Sequence, residues 1–201
     1  MCGIAGICSV NGQPYSALAR HLRTMNDLIR HRGPDGEGIW RHEKDTLGFA
    51  HRRLSIIDLS EAASQPMTDR QGNWIVYNGE IYNYPELRDE LGSQNFATHS
   101  DTEVILLAYR RWGKECVNHL RGMFAFALWD EQQQSLFCAR DRFGIKPFYM
   151  AVVQDTFYFA SEIKALLPFL EEIDTDLEGF KDYLAFQFCL AGKTLFQGVH
   201  E

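Results

Sequence analysis

The sequence predicts an α+β protein with mostly antiparallel sheets and with helices on their outer faces. Short aromatic-rich runs separated by polar turns occupy the third quarter of the chain and predict antiparallel hairpins. Apolar residues recur at helical spacing in several other segments. Strands and helices fall in blocks rather than in strict alternation, which favours antiparallel sheets over a parallel α/β sheet.

The first half of the chain begins with a predicted buried strand, a polar turn at 11–14 and an amphipathic helix. Leu18, Leu22 and Met25 share one face of that helix, which ends before a loop rich in turn formers at 31–36. The predicted strands of this half are 3–10, 38–41, 46–53 and 73–77, and the predicted helices are 16–30, 85–91 and 101–112.

The second half supplies most of the hairpins. A polar turn at 131–134 separates the first two of its strands. The predicted strands are 123–130, 135–140, 148–153 and 156–160, and helical spacing returns at 161–169 and 177–186. The sequence stops at 196–201 without a stop signal, and we expect it to be part of a longer chain.

Composition restricts the function. The 201 residues are 45% hydrophobic and 23% charged, enough to bury a substantial core. The net charge is −7 and no run of Lys or Arg reaches the length of a tract that binds polyanions, so nucleic acid is not an expected partner. Nothing resembles a signal or membrane segment. Five scattered cysteines without a CxxC pair favour reduced thiols in the cytoplasm, and the histidines lack the spacing of a metal site.

Cys2 is the first candidate for chemistry. If Met1 is removed, as a small second residue generally allows, Cys2 carries both a thiol and a free α-amine. An α-amine with an ordinary pKa near 7.8 is roughly a third neutral at pH 7.5, whereas a lysine is only about 0.1% neutral. The amine can therefore act as the base for the thiol nucleophile beside it. The alternative is that Cys2 is only a small apolar residue at the start of a strand.

Asn78, Gly79 and Glu80 follow the predicted strand 73–77. A side-chain amide and an unhindered backbone N–H at a strand end can donate two hydrogen bonds to a developing oxyanion. An ordinary Asn-Gly turn is the alternative.

Two charged residues are suited to holding an amino acid. The guanidinium of Arg53 offers a planar fork for a carboxylate, although either Arg52 or Arg53 is equally suited to be a solvated surface charge. Asp101 begins a predicted helix, where an acid ordinarily serves as an N-cap or first-turn residue. It is also able to bind an ammonium group if its carboxylate faces a pocket.

These residues lie within six motifs that together resemble one family. The motifs are Cys2-Gly3-Ile4-Ala5-Gly6, His31-Arg32-Gly33-Pro34-Asp35-Gly36, Arg53-Leu54-Ser55-Ile56-Ile57-Asp58, Asn78-Gly79-Glu80-Ile81-Tyr82-Asn83, Ser100-Asp101-Thr102-Glu103 and Arg140-Asp141-Arg142-Phe143-Gly144-Ile145-Lys146-Pro147. In order and spacing they resemble the N-terminal glutaminase domain of glutamine-hydrolysing asparagine synthetases. The resemblance covers residues 1–201 and implies a class II glutamine amidotransferase domain with a four-layer αββα sandwich, the fold of N-terminal-nucleophile hydrolases.

The resemblance also implies a role for each motif residue. Cys2 would be the nucleophile, and the Asn78 side chain and Gly79 N–H would form the oxyanion hole. Arg53 would bind the glutamine α-carboxylate, and Asp101 with Glu80 would bind the α-ammonium. Leu54, Ile56 and Ile57 would line the same pocket through backbone groups.

The same resemblance implies L-glutamine as the substrate and a C-terminal synthetase domain as the partner that uses the ammonia to amidate aspartate. No metal or cofactor is expected in this domain, because ATP and magnesium would bind only in the synthetase half, which this sequence lacks. Another carboxylate acceptor is an open alternative, as are an N-terminal-cysteine hydrolase acting on other acyl amides and a scaffold without turnover. Neither membrane nor nucleic acid is expected as a partner. The oligomeric state cannot be read from the sequence, and a homodimer is one arrangement.

Overall fold

A computed structural model describes residues 1–56, 58, 60–69 and 71–201. The helices are α1 (Leu18–Leu28), α2 (Tyr84–Leu91), α3 (Asp101–Trp112) and α4 (Leu177–Phe186). The strands are β1 (Gly3–Ser9), β2 (Gly36–Arg41), β3 (Leu47–Arg53), β4 (Met67–Thr68), β5 (Trp74–Ile81), β6 (Gly122–Asp130), β7 (Ser135–Arg140), β8 (Tyr149–Val153), β9 (Thr156–Ala160) and β10 (Val199–His200).

The strands form two antiparallel sheets. One sheet has the order β10-β8-β9-β1-β3-β2 and the other the order β4-β5-β6-β7. Helix α1 packs on the outer face of the first sheet, α2 and α3 pack on the outer face of the second, and a third cluster of buried side chains fills the space between the sheets. The predicted four-layer αββα arrangement is therefore confirmed.

Strand alternation decides which residues enter the layer between the sheets. In β1, Ile4 belongs to that inner layer while Ala5 packs towards α1. In β5, Val76 belongs to the inner layer while Tyr77 packs towards α3. Counting by twos from Ile4 and Val76 directs Cys2 and Asn78 into the same inner layer, at one end of the sandwich.

Two predictions of secondary structure were wrong. Strand β5 continues to Ile81, beyond the predicted end at residue 77, because its last residues pair with β6 down to Gly122. The predicted helix 161–169 is instead two short 3-10 turns, Ile163–Ala165 and Leu167–Phe169. Pro168 lies in the second turn, and it removes one backbone N–H that a continuous helix would use. The short strands β4 and β10 were not predicted.

Among the described residues, no helix combines the length and apolar character needed to span a bilayer.

Candidate active site at the start of the chain

The start of the chain lies in a pocket at one end of the sandwich. All but one of the predicted site residues line this pocket: Cys2, Arg53, Leu54, Ile56, Asn78, Gly79, Glu80 and Asp101. The exception is Ile57, which lies outside the described residues. Three segments that are distant in the sequence therefore converge on Cys2.

Cys2 is held at both its side chain and its carbonyl. The Leu54 N–H donates to Cys2 Sγ at 3.3 Å, and the thiol lies 3.5 Å from the Leu54 carbonyl. Arg32 Nε donates to the Cys2 carbonyl at 2.9 Å. Burial raises the pKa of the Cys2 thiol, whereas the Leu54 N–H, the chain's terminal ammonium and Arg53 act in the opposite direction.

The loop 31–36 positions two parts of the pocket. Arg32 binds Cys2 and also pairs with Glu162 at 2.9 Å, which ties the start of the chain to the segment after β9. Asp35 Oδ2 accepts the Ser55 N–H at 2.9 Å and so fixes the segment after β3. A Cβ on Gly33 would lie 2.3 Å from the Arg52 carbonyl carbon, so only glycine allows this close approach. Sequence reasoning missed these supporting roles, although the motif itself was the available signal.

Asn78 presents a buried amide without a partner. The residue is only 2% exposed, and its Nδ2 has no hydrogen-bond acceptor among the described residues. Unpaired buried donors are uncommon because each costs about 1 to 3 kcal/mol. Such a donor in a pocket is suited to an oxygen that arrives with a ligand.

The backbone N–H of Gly79 points to the edge of β5 that Gln65 and Asp101 border. The neighbouring N–H groups of Tyr77 and Ile81 donate to Gln65 and Asp101, not to β6. Because N–H directions alternate along an antiparallel strand, the Gly79 N–H also points away from β6. A Cβ at Gly79 would lie 2.3 Å from the Met123 carbonyl oxygen, which explains the glycine.

The placement of this pair corrects the sequence interpretation. Asn78 and Gly79 lie inside β5, opposite Ala125 and Phe124, and not at a strand end or in an Asn-Gly turn. The donors are available because this edge of β5 is bordered by side chains instead of a full neighbouring strand.

Asp101 is the first residue of α3, while Ser100 provides the N-cap by accepting the Thr102 N–H. Asp101 Oδ2 accepts hydrogen bonds from Tyr77 Oη at 2.7 Å and from the Ile81 N–H at 3.0 Å. Burial raises the pKa of Asp101, and these hydrogen bonds oppose that rise. The carboxylate is thus fixed at the pocket wall, and Asp101 is a first-turn acid rather than the N-cap.

Arg53 is partly engaged by its own loop. Nη1 donates to the Ser60 carbonyl at 2.9 Å, and Nη2 donates to the Asp58 carbonyl. The guanidinium is thereby held beside the pocket by uncharged carbonyl oxygens. Among the described residues no carboxylate forms an ion pair with it.

His51 and Lys146 are among the further polar residues that line the pocket and that sequence reasoning did not select. His51 is 1% exposed, and burial lowers its pKa to about 3 against a weaker opposing effect of the Tyr77 backbone, so the ring is neutral. Lys146 comes from the motif 140–147 and is 5% exposed. Within the described ranges, no group of three or more His, Cys, Asp or Glu side chains is arranged to hold a metal ion.

Comparison with curated proteins gives relatives along nearly the whole chain. Glutamine-hydrolyzing asparagine synthetase 1 of Bacillus subtilis is 44% identical over 201 residues, covering 97% of this chain and 31% of the relative. A putative glutamine-hydrolyzing asparagine synthetase 2 of Methanocaldococcus jannaschii is 39% identical, covering 94% of this chain and 39% of the relative. Amidase chry2 of Gibberella zeae is 38% identical, covering 100% and 31%. The chain thus spans about a third of the length of these relatives.

Solved structures share the fold. A glutamine phosphoribosylpyrophosphate amidotransferase from B. subtilis superposes with a TM-score of 0.69 at 22% identity, covering 82% of this chain and 43% of that chain. A family model described as a glutamine amidotransferase domain matches residues 1–201. Since that match runs from end to end, the chain belongs to the glutamine amidotransferase domain family.

Proposed function

We propose that this domain hydrolyses the side-chain amide of L-glutamine to glutamate and ammonia through a thioester on Cys2. One observation carries the proposal: the Cys2 thiol, the unpartnered Asn78 amide and the outward Gly79 N–H line one pocket together with a guanidinium and two carboxylates. This set matches a nucleophile, an oxyanion site and a clamp for an amino acid.

The reaction follows from these groups. The Cys2 thiolate attacks the amide carbon of glutamine, and the resulting oxyanion accepts hydrogen bonds from Asn78 Nδ2 and the Gly79 N–H. The protonated α-amine of Cys2 gives its proton to the departing nitrogen, so ammonia leaves and a glutamyl thioester remains. The neutral amine then takes a proton from water, which attacks the thioester and releases glutamate and the thiol.

Selectivity for glutamine arises at the other end of the substrate. Arg53 is proposed to bind the α-carboxylate in exchange for one of its loop carbonyls, a stronger charge-assisted contact. Asp101 and Glu80 are proposed to bind the α-ammonium, and backbone groups of Leu54 and Ile56 complete the wall. Ile57 keeps its predicted role as a proposal on the sequence resemblance alone. An amide lacking either charge would leave a buried ion unpaired.

The test is glutamate release by protein whose intact mass shows that Met1 is absent. Cys2→Ala is expected to abolish release while the unfolding transition stays in place. A Cys2→Ala variant that still hydrolyses glutamine would remove Cys2 from the mechanism. Protein that retains Met1 is expected to be inactive, because an acylated amine can neither give nor take the proton.

We propose further that the ammonia serves an ATP-dependent synthetase domain that amidates aspartate. The support is the name shared by several relatives and the share of their length that this chain leaves unmatched. ATP and magnesium would bind there, and the glutaminase step would use no cofactor. A catalytic thiol and scattered cysteines suit the reducing cytoplasm, and a homodimer remains a proposal to be measured by light scattering.

A second acceptor class is supported by relatives named amidases. Amidase chry2 and amidase chyE of Penicillium rubens are 38% and 39% identical over the whole chain. Comparing amidation of aspartate with that of other carboxylates by the full-length protein distinguishes the two classes of acceptor.

An acyl-amide hydrolase without glutamine specificity is tested by hydrolysis of an uncharged acyl amide, to which the charged side chains of Arg53 and Asp101 would not bind.

A further inference from the structure

The motif 140–147 forms a rigid loop between β7 and β8 that the mechanism above does not use. The Asp141 carboxylate accepts four backbone N–H groups at 3.0 to 3.1 Å, from Phe124, Phe143, Ile145 and Lys146. Arg140 donates to the carbonyls of Gly144 and Lys146 at 2.6 and 2.7 Å. The backbone of Lys146 is therefore fixed on both its N–H and its carbonyl side.

The Lys146 side chain is directed into the pocket that contains Cys2. The residue is 5% exposed, and its Nζ lies 3.3 Å from the Met1 thioether sulfur. No carboxylate of the described chain lies within 4 Å of this ammonium. A buried ammonium ordinarily requires a charged or strongly polar partner, and a thioether is only a weak acceptor. A structural ion pair therefore does not explain Lys146.

The sulfur atom beside Lys146 Nζ belongs to Met1, the residue that precedes the nucleophile. Only five covalent bonds separate the Met1 sulfur from the backbone nitrogen of Cys2, the atom that becomes the free amine when Met1 is removed. The rigid loop keeps the ammonium at this end of the pocket, so Lys146 would then face that amine within the length of one side chain.

The other charges around Cys2 make such a cation useful. Asp101 raises the pKa of the Cys2 thiol, and Glu80 is a second carboxyl in the wall of the same pocket. Arg53 acts in the opposite direction, but loop carbonyls already bind its guanidinium. Arg32 is paired with Glu162. Tyr77 is bound to Asp101, and His51 is neutral and adds no charge.

We propose that Lys146 is a positioning residue for the glutaminase reaction, and the inference rests on the proposed function. Its ammonium offsets the two substrate-binding carboxylates, so that at the pH of the cell the Cys2 amine is neutral and able to take the proton of the thiol. Lys146 itself touches neither the substrate nor the reacting atoms.

The experiment compares Lys146→Met, Lys146→Gln and Lys146→Arg with wild type, all free of Met1. The rate at which iodoacetamide labels Cys2 is measured against pH by peptide mass, and kcat/KM for glutamine is measured over the same range. Loss of the charge is expected to move the rising limb of both profiles about one pH unit higher, so both rates fall roughly tenfold near pH 7. Lys146→Arg is expected to restore the wild-type profiles.

A purely structural role would lower the melting temperature of the uncharged variants without moving either pH profile. Profiles of a folded Lys146→Met or Lys146→Gln protein that superimpose on wild type overturn the inference. Labelling of Cys2 requires no turnover, so a wild-type protein that fails to hydrolyse glutamine would end the proposed function and still leave the Lys146 test readable.

Discussion

Asn78 lacks a hydrogen bond that the folded chain would ordinarily supply. Its Nδ2 is buried and without an acceptor among the described residues, whereas Oδ2 of Asp101, in α3, accepts two hydrogen bonds. A buried donor that is unpaired in the fold lowers stability rather than adding to it, and it becomes paired only when an oxygen enters the pocket. Asn78 Nδ2 is therefore available to a ligand, whereas the Asp101 carboxylate in the same site also supports the fold.

Asn78→Ala is expected to lower kcat by about 10² to 10³ with a smaller change in KM, because the lost donor acts on the developing oxyanion. No Nδ2 hydrogen bond is lost in the fold, so the free energy of unfolding is not expected to fall by more than about 1 kcal/mol. Steady-state glutamate release and urea unfolding measure the two effects. Asn78→Asp, which keeps the shape but donates nothing, should lose at least as much activity. An Asn78→Ala protein within tenfold of wild-type kcat would exclude the proposed role.

At the scale of elements, the sequence predicted best where periodicity is local. The helical spacing in α1 and the predicted helix α3 and strands β1 and β3 appear in the structure close to their predicted bounds. The end of β5 was wrong because Asn-Gly has strong turn propensity, and pairing with β6 overrides it. The missed contacts of Glu162 and Lys146 span more than 100 residues, which a local pattern does not report.

Glu162 joins the 3-10 turn Arg30–Arg32 to the segment that follows β9. Nitrogen atoms of Arg32, His31 and Lys164 lie within 3.1 Å of its carboxylate oxygens. Burial would raise the pKa of Glu162, but these partners lower it to about 2. A carboxyl with a lowered folded-state pKa stabilises the fold above its unfolded value of about 4.5, and that stabilisation disappears as the pH falls towards 2.

Glu162→Gln is therefore expected to lower the free energy of unfolding by about 1 to 2 kcal/mol at pH 7, a value reduced for partial solvent screening. The difference from wild type should stay constant down to about pH 5.5 and shrink below pH 4.5. Urea unfolding at pH 7, 5.5 and 4 checks the trend. A difference that is the same at pH 4 as at pH 7 would show that the ion pairs do not set this stability.

The resemblance to a family implied the four layers and the residues of the site, but the sequence did not predict which apolar side chains are exposed on the surface of the molecule. Helix α4 was predicted from its spacing, yet its apolar side chains are turned outward: Leu177, Phe180 and Leu184 are 68%, 42% and 64% exposed. They are spaced three and four residues apart and so share one face. Phe186 and Phe188 continue the apolar surface at 53% and 58% exposure. Hydrophobic spacing shows which residues share a face of a helix, but not whether that face packs against the rest of the chain or is exposed to solvent.

Contiguous exposed apolar surface promotes association, whereas single exposed apolar residues are ordinary. The domain 1–201 is therefore expected to self-associate as its concentration rises, and Leu184→Lys is expected to reduce that association by placing a charge within the α4 face. Val10 is 65% exposed at the turn after β1 and provides the matched control. Val10→Lys adds the same charge at similar exposure and should leave association unchanged.

Light scattering over a concentration series measures the association of both variants. Glutamate release should be equal in both because neither residue lines the Cys2 pocket. Equal association of the two variants would mean that net charge, and not the α4 face, controls the behaviour of the domain in solution.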